Sequence, residues 1–249
     1  MNTNLINENN LNPAPFCKDI IFNYHNYLQR NGLYLCAREE TKLQSVPLEQ
    51  VIGIDQMYGD DATWGDCLEG TWLKRIKSNL AELQENPNYY TNEDEKNGLS
   101  FIKVEDMFFI STGKHRTIIA RFLSHFNPEE FPNSELKNVK VTEYFLDREF
   151  IEMKSTLSEI AKSYPNLKLE VSHTVDLDDL SFLTVSEKGR FGQMECFSRN
   201  HYSDVIEGLT KPTVRKKFNS EKLKNEPSIY AFISYMQCFR TLLNRAAMS

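Results

Sequence analysis

The sequence has no run approaching the ~18 consecutive apolar residues of a bilayer-spanning helix, so it predicts no transmembrane segment. It also lacks an excess of positive charge: Lys+Arg is 29 against Asp+Glu 35, a formal net charge of −6. Proteins that coat nucleic acid regardless of sequence are usually basic overall, which argues against that class. No CxxC pair occurs among Cys17, Cys36, Cys67, Cys196 and Cys238. Neither a zinc knuckle nor a thioredoxin-type redox centre is indicated, and an odd, widely spaced set predicts reduced thiols with packing or surface roles. His25, His125, His173 and His201 show no metal-ligand spacing, and no Ser-His-Asp constellation follows from the spacing of candidate residues. The first residues, MNTNLINENN, lack both a cationic start and an apolar stretch, so no secretory signal is expected and the chain is expected in the cytoplasm.

What is present is an ordinary globular composition, 40% hydrophobic and 26% charged over 249 residues. Residues 1–15, rich in Asn and closing on Pro-Ala-Pro, predict a disordered tail. Helical apolar spacing follows over 16–28 and stops at Asn31-Gly32. Short strands are expected at 33–37 and 50–54, and a loop at 55–65. Leu68, Trp72, Leu73, Ile76, Leu80 and Leu83 predict one amphipathic helix, with Lys74, Arg75, Lys77 and Ser78 on its polar side. Residues 86–98 are polar and acidic, a solvated loop. A hairpin over 99–110 turns at Glu105-Asp106; a helix over 118–126 and a strand over 139–145 follow.

Beyond Asp147 the pattern changes to a helix at 150–164, a strand at 167–173, an acidic turn at 176–179, a hairpin around 187–189, and helices at 201–209 and 228–247. The chain is therefore expected as an α+β domain over 16–148 with an N-terminal helix, followed at 149–249 by an α-rich region with a short β-hairpin packed on it.

The chemistry concentrates at Ser111-Thr112-Gly113-Lys114-His115-Arg116, which interrupts the apolar run between a strand and a helix, and at Thr117 directly after it. Gly113 permits a tight turn and close approach of a ligand. The first amides of a helix lack intrahelical partners, and the positive end of its dipole lies there. Lys114, His115 and Arg116 add cationic or donor groups, and the Arg fork matches two phosphate oxygens. Thr112 to Thr117 are therefore the expected phosphate- or nucleotide-binding residues. The alternative is a solvated turn in which His115 satisfies a backbone carbonyl. A Walker A loop is excluded, because it needs Gly where Phe108 stands and Ser or Thr where His115 stands.

A strand followed by Gly-x-His-Arg opening a helix resembles the ParB/sulfiredoxin superfamily, in particular its ParB-like nuclease-type domains. Ser45-Val46-Pro47-Leu48-Glu49-Gln50-Val51-Ile52 resembles that family's first strand, and the resemblance spans about residues 43–146. It implies a mixed sheet with helices and a nucleotide or nucleic-acid phosphate at the Gly113 turn. The activities it implies are those of a nuclease, nucleotide hydrolase or phosphotransferase. This chain departs from the pattern in three respects. Lys114 stands where sulfiredoxins place their catalytic Cys, no helix-turn-helix region is identifiable, and Asp55-Gln56 replaces the Arg that many relatives carry after the first strand.

Phosphoryl transfer or phosphodiester hydrolysis would call for a carboxylate as base or Mg²⁺ ligand, with a nucleoside triphosphate and Mg²⁺ as the expected cofactors. Candidates are Asp55, Asp60, Asp61, Asp66, Glu69, Glu105 and Asp106. Asp66 and Glu69, three apart, are placed with His115 as catalytic candidates, although helix capping is their more usual role. Trp64 could stack on a base, whereas Trp72 belongs to the core. Six cations against Glu221 give residues 211–224 a net charge of +5, and Arg215, Lys216 and Lys217 form a candidate nucleic-acid or partner patch. The competing expectation is a non-catalytic nucleotide- or DNA-sensing protein that engages a protein partner through its C-terminal region.

Overall fold

In the computed structural model, which describes residues 1–56, 61–131, 133–164, 167–173, 181–187 and 194–210, the Asn-rich start is folded. Helix α1 (Leu5–Leu11) buries Leu5 to 1% exposure, and Ala14 beyond it is 2% exposed. The buried Asn9 side chain accepts from the Ala14 amide at 3.0 Å, so it closes the chain behind the helix instead of loosening it. The expected tail is thus anchored by two apolar residues and one satisfied Asn.

The helix expected over 16–28 is shorter. Strand β1 (Phe22–Asn23) comes first, and α2 (Tyr24–Arg30) starts where the Asn23 side chain accepts from the Asn26 amide at 3.0 Å. An N-cap residue has extended backbone angles, so the helix cannot extend back through Asn23. Strand β2 (Leu35–Pro47) and β3 (Val51–Ile54) flank a short 3₁₀ turn.

Two helices replace the one expected over 68–83: α3 (Trp64–Glu69) and α4 (Ile76–Glu85). Gly70 divides them, with φ 92° ending α3 in the left-handed conformation. Strand β4 (Ser100–Val104) and β5 (Met107–Thr112) form the expected hairpin, followed by α5 (Lys114–Phe126) and β6 (Glu135–Leu146).

The first unit, Met1–Leu146, is built on a six-stranded mixed sheet in the order β1-β3-β5-β4-β6-β2. Strands β1, β3 and β5 run parallel, so all three end on one side of the sheet. Alternation along the strands supplies both faces. Phe101, Phe108 and Ile110 pack with Trp64, Leu68, Ile118 and Phe122, while Ile102, Val104 and Phe109 pack with Tyr24 and Leu28. Helix α5 packs against α1, α3 and α4.

The second unit, Asp147–Ser249, contains α6 (Arg148–Lys162), then β7 (Leu167–His173), β8 (Ser181–Glu187) and β9 (Met194–Ser198) paired antiparallel in that order, and α7 (Tyr202–Thr210). Asp147 caps α6 by accepting from the Phe150 amide at 3.0 Å and pairs through both oxygens with Arg199. The acidic turn at 176–179, the basic stretch containing Arg215, Lys216 and Lys217, and the helix expected at 228–247 lie outside the described residues. Among the described residues, no helix is long and apolar enough to cross a membrane.

Candidate functional site

Strand β5 runs two residues past its apolar stretch, through Ser111 and Thr112, and a single residue, Gly113, turns it into α5. Gly113 has φ 85°, and a Cβ there would stand 2.2 Å from Leu99 Cδ2 and 2.6 Å from the Gly98 carbonyl oxygen. Only glycine meets both conditions. The sequence suggests a six-residue turn, but Lys114, His115 and Arg116 are already the first helical turn, with their amides at the positive end of α5.

In front of that turn lies an open cavity of about 570 Å³. Its first wall is Ser111, Thr112, Gly113, Lys114, His115 and Arg116. The facing wall is Arg75, Asn79 and Glu82 at the start and along one side of α4, and Gln56 and Gly98 complete the rim. Three permanent cations, Arg75, Lys114 and Arg116, thus share the cavity with one carboxylate among its described lining residues, Glu82.

Lys114 and Arg116 are each held by a specific partner or neighbour. Lys114 Nζ donates to Gln56 Oε1 at 2.6 Å, and burial lowers its pKa. Arg116 Nη1 donates to the Asn97 carbonyl at 3.3 Å, and its guanidinium lies 5.3 Å from the Tyr89 ring centroid. Burial lowers the His115 pKa below its ordinary 6.5, and Arg75 and Lys114 push it further in the same direction. The imidazole is therefore neutral at pH 7, able to donate from one nitrogen and accept at the other.

The Arg116 wall is braced from behind by Lys96, which is only 2% exposed. Its ammonium donates to the carbonyls of Asn92 and Asp94, each at 2.7 Å, and to the Asn92 side chain. Its backbone amide donates to the Asn138 carbonyl at 3.1 Å. The segment expected as a solvated loop is thus knotted around a buried cation, and Tyr90 at 4% exposure anchors its start.

Of the residues expected at the site, Thr112, Gly113, Lys114, His115 and Arg116 line the cavity together. Thr117 turns inward; it is fully buried, and its hydroxyl donates to the Gly113 carbonyl at 3.2 Å. Asp66 forms a capping box with Thr63 at the start of α3, its Oδ2 accepting from the Thr63 hydroxyl at 2.7 Å. Glu69 is exposed in the last turn of α3, and neither carboxylate lines the cavity. Asp55 faces His25 at 3.5 Å, Asp61 is exposed, and Glu105 with Asp106 makes the tight hairpin turn. Asp60 lies outside the described residues.

Trp64 is 1% exposed and covers the Arg121 guanidinium at 4.0 Å, with the Phe16 ring 4.4 Å from that same guanidinium. It is a core residue with no face open to a base. Burial lowers the Arg121 pKa to about 10. Among the described residues, no group of three or more His, Cys, Asp or Glu side chains is close enough to hold a metal ion.

Gln56, Arg75, Asn79 and Glu82 are cavity residues without a motif to announce them. Their one sequence signal is the spacing of 75, 79 and 82, which forms a polar stripe beside the buried Ile76 and Leu83. Comparisons with protein-family models, curated proteins and solved structures give no match for this chain.

Proposed function

We propose that the protein binds a phosphate-bearing ligand, a nucleotide or a nucleic-acid phosphate, at the junction of β5 and α5. The observation that carries this reading is the convergence of Arg75, Lys114, Arg116 and the N-terminal amides of α5 on one open cavity, with one carboxylate, Glu82, among its described lining residues. Lys114 and Arg116 neutralise phosphate charge, Arg116 through a fork pre-oriented by Asn97 and Tyr89. His115, neutral in the free protein, becomes a stronger donor once an anion stands beside it. A relationship to ParB-like domains of the ParB/sulfiredoxin superfamily is part of this reading. The Gly-Lys-His-Arg turn and its place after a strand parallel to β3 support it.

Metal-assisted phosphoryl transfer or hydrolysis is the stronger form of the proposal. Mg²⁺ commonly binds through one or two carboxylates plus the phosphates of the substrate, and keeps several waters. Glu82 is the only carboxylate among the described lining residues, since Asp66 and Glu69 do not reach the cavity. That observation favours the second reading, a nucleotide- or DNA-sensing protein without turnover.

One experiment separates the readings. Thermal unfolding and turnover are followed with ATP, CTP, GTP and short DNA, each with and without Mg²⁺, for the wild-type chain and Arg116→Ala. A bound ligand raises the melting temperature by mass action. Stabilisation that Arg116→Ala abolishes supports the phosphate site, and turnover with Mg²⁺ supports an enzyme. No shift with any ligand contradicts the proposal.

A further inference from the structure

The cavity has two chemically different walls. The α5 wall carries the free helix amides and the positive charge of Lys114 and Arg116. On the α4 wall, beside Arg75, the Asn79 amide nitrogen gives one of its two hydrogens to the Arg75 carbonyl at 2.9 Å, and its Oδ1 is an acceptor. Glu82, three residues on and on the same helical stripe, is an acceptor when ionised. Burial of Ile76 and Leu83 fixes the rotation of α4, and with it the side on which Asn79 and Glu82 lie.

A phosphate alone would leave most of the roughly 570 Å³ empty, and a second phosphate at the Glu82 end of the α4 wall, away from Arg75, would meet the carboxylate charge. The volume falls in the range of about 300–1,000 Å³ usual for small-molecule sites.

We infer that Asn79 and Glu82 form a hydroxyl-reading wall, so that the ligand is a small phosphorylated molecule carrying free hydroxyls, such as a sugar phosphate or ribonucleotide. The inference rests on the phosphate reading above. The phosphate sits at the Gly113–Arg116 turn, and the hydroxyls donate to the Glu82 carboxylate and Asn79 Oδ1. An analogue without hydroxyls forgoes two hydrogen bonds, one of them to a charged acceptor, which costs affinity about tenfold or more.

Titration calorimetry on the full chain tests this with pyrophosphate, propyl phosphate and ribose 5-phosphate, with and without Mg²⁺. Wild type should favour ribose 5-phosphate over propyl phosphate by about tenfold or more. Glu82→Gln should bind pyrophosphate and propyl phosphate at least as well as wild type, because a repelling charge is gone, while its preference for ribose 5-phosphate falls. Asn79→Leu should reduce the same preference by the other acceptor. If the phosphates bind but wild type shows no preference, or the variants keep it in full, the inference is overturned and the phosphate reading stands. If Glu82→Gln weakens binding only when Mg²⁺ is present, Glu82 is a metal ligand and the inference is likewise overturned. If none of the three compounds binds, the phosphate reading fails and the hydroxyl wall with it.

Discussion

Leu99 and Gly113 lie so close that a methyl group on Gly113 would stand 2.2 Å from Leu99 Cδ2. Residue 99 closes the knotted segment around Lys96, and residue 113 opens α5. Their contact sets the distance between the loop that holds Arg116 and the turn that presents it.

Gly113→Ala should therefore destabilise the protein by roughly 3 kcal/mol. The left-handed backbone and the overpacking each cost about 1–2 kcal/mol or more. Chemical denaturation measures the change directly. A loss below ~0.5 kcal/mol, within the range of ordinary surface substitutions, would show that the turn relaxes freely.

Lys96→Met removes the ammonium from three part-buried oxygen contacts and leaves the Asn92 and Asp94 carbonyls without that donor. The expected cost is about 2 kcal/mol, with looser restraint of Arg116 through Asn97. Denaturation reports the first effect. Hydrogen exchange at the Arg116 Nε–H reports the second and should accelerate; an unchanged exchange rate would separate Lys96 from the site.

His115 titrates below its ordinary 6.5 in the folded protein. Between its folded pKa and 6.5 the unfolded chain binds more protons, so the contribution of His115 to stability is complete above 6.5 and is lost as pH falls through that window. An anion in the cavity opposes the Arg75 and Lys114 charges and should raise the His115 pKa. NMR titration of the His115 ring with and without pyrophosphate measures both values. A free pKa above 6.5, or no upward shift on adding pyrophosphate, would contradict the proposed placement.

Asp147 is buried at the start of α6, where Arg199 reaches it at 2.6 Å and Glu149 at 2.7 Å. Arg199→Met leaves a buried carboxylate without its cation and should cost about 3 kcal/mol. Amides in the first turn of α6 should exchange faster with solvent. If their protection is unchanged, the Arg199 pair does not hold the start of α6.

The hairpin at Glu105-Asp106 and the Gly113 turn were legible because their signals are local: two apolar runs bracket polar turn residues, and an amphipathic helix follows one glycine. The cluster from Thr112 to Arg116 was legible for the same reason. The opposite wall was not, because the meeting of Arg75, Asn79 and Glu82 with α5 depends on how α4 packs, and no periodicity encodes that. Lys96 reads as a solvent residue until three oxygens close around it. Asn-rich composition hid α1, whose burial rests on little more than Leu5 and Ala14. Asp66 reads as a catalytic candidate whose plainer role is capping, and the Thr63 hydroxyl contact places it in a cap.

The central claim is that the cavity in front of Gly113 is an anion site. Backbone amide NMR of the full chain during addition of pyrophosphate tests it most directly. The account predicts saturable shifts largest at Lys114, His115 and Arg116 and extending to Arg75, and their loss in Lys114→Ala together with Arg116→Ala. Shifts centred elsewhere, or none at these residues, would contradict it.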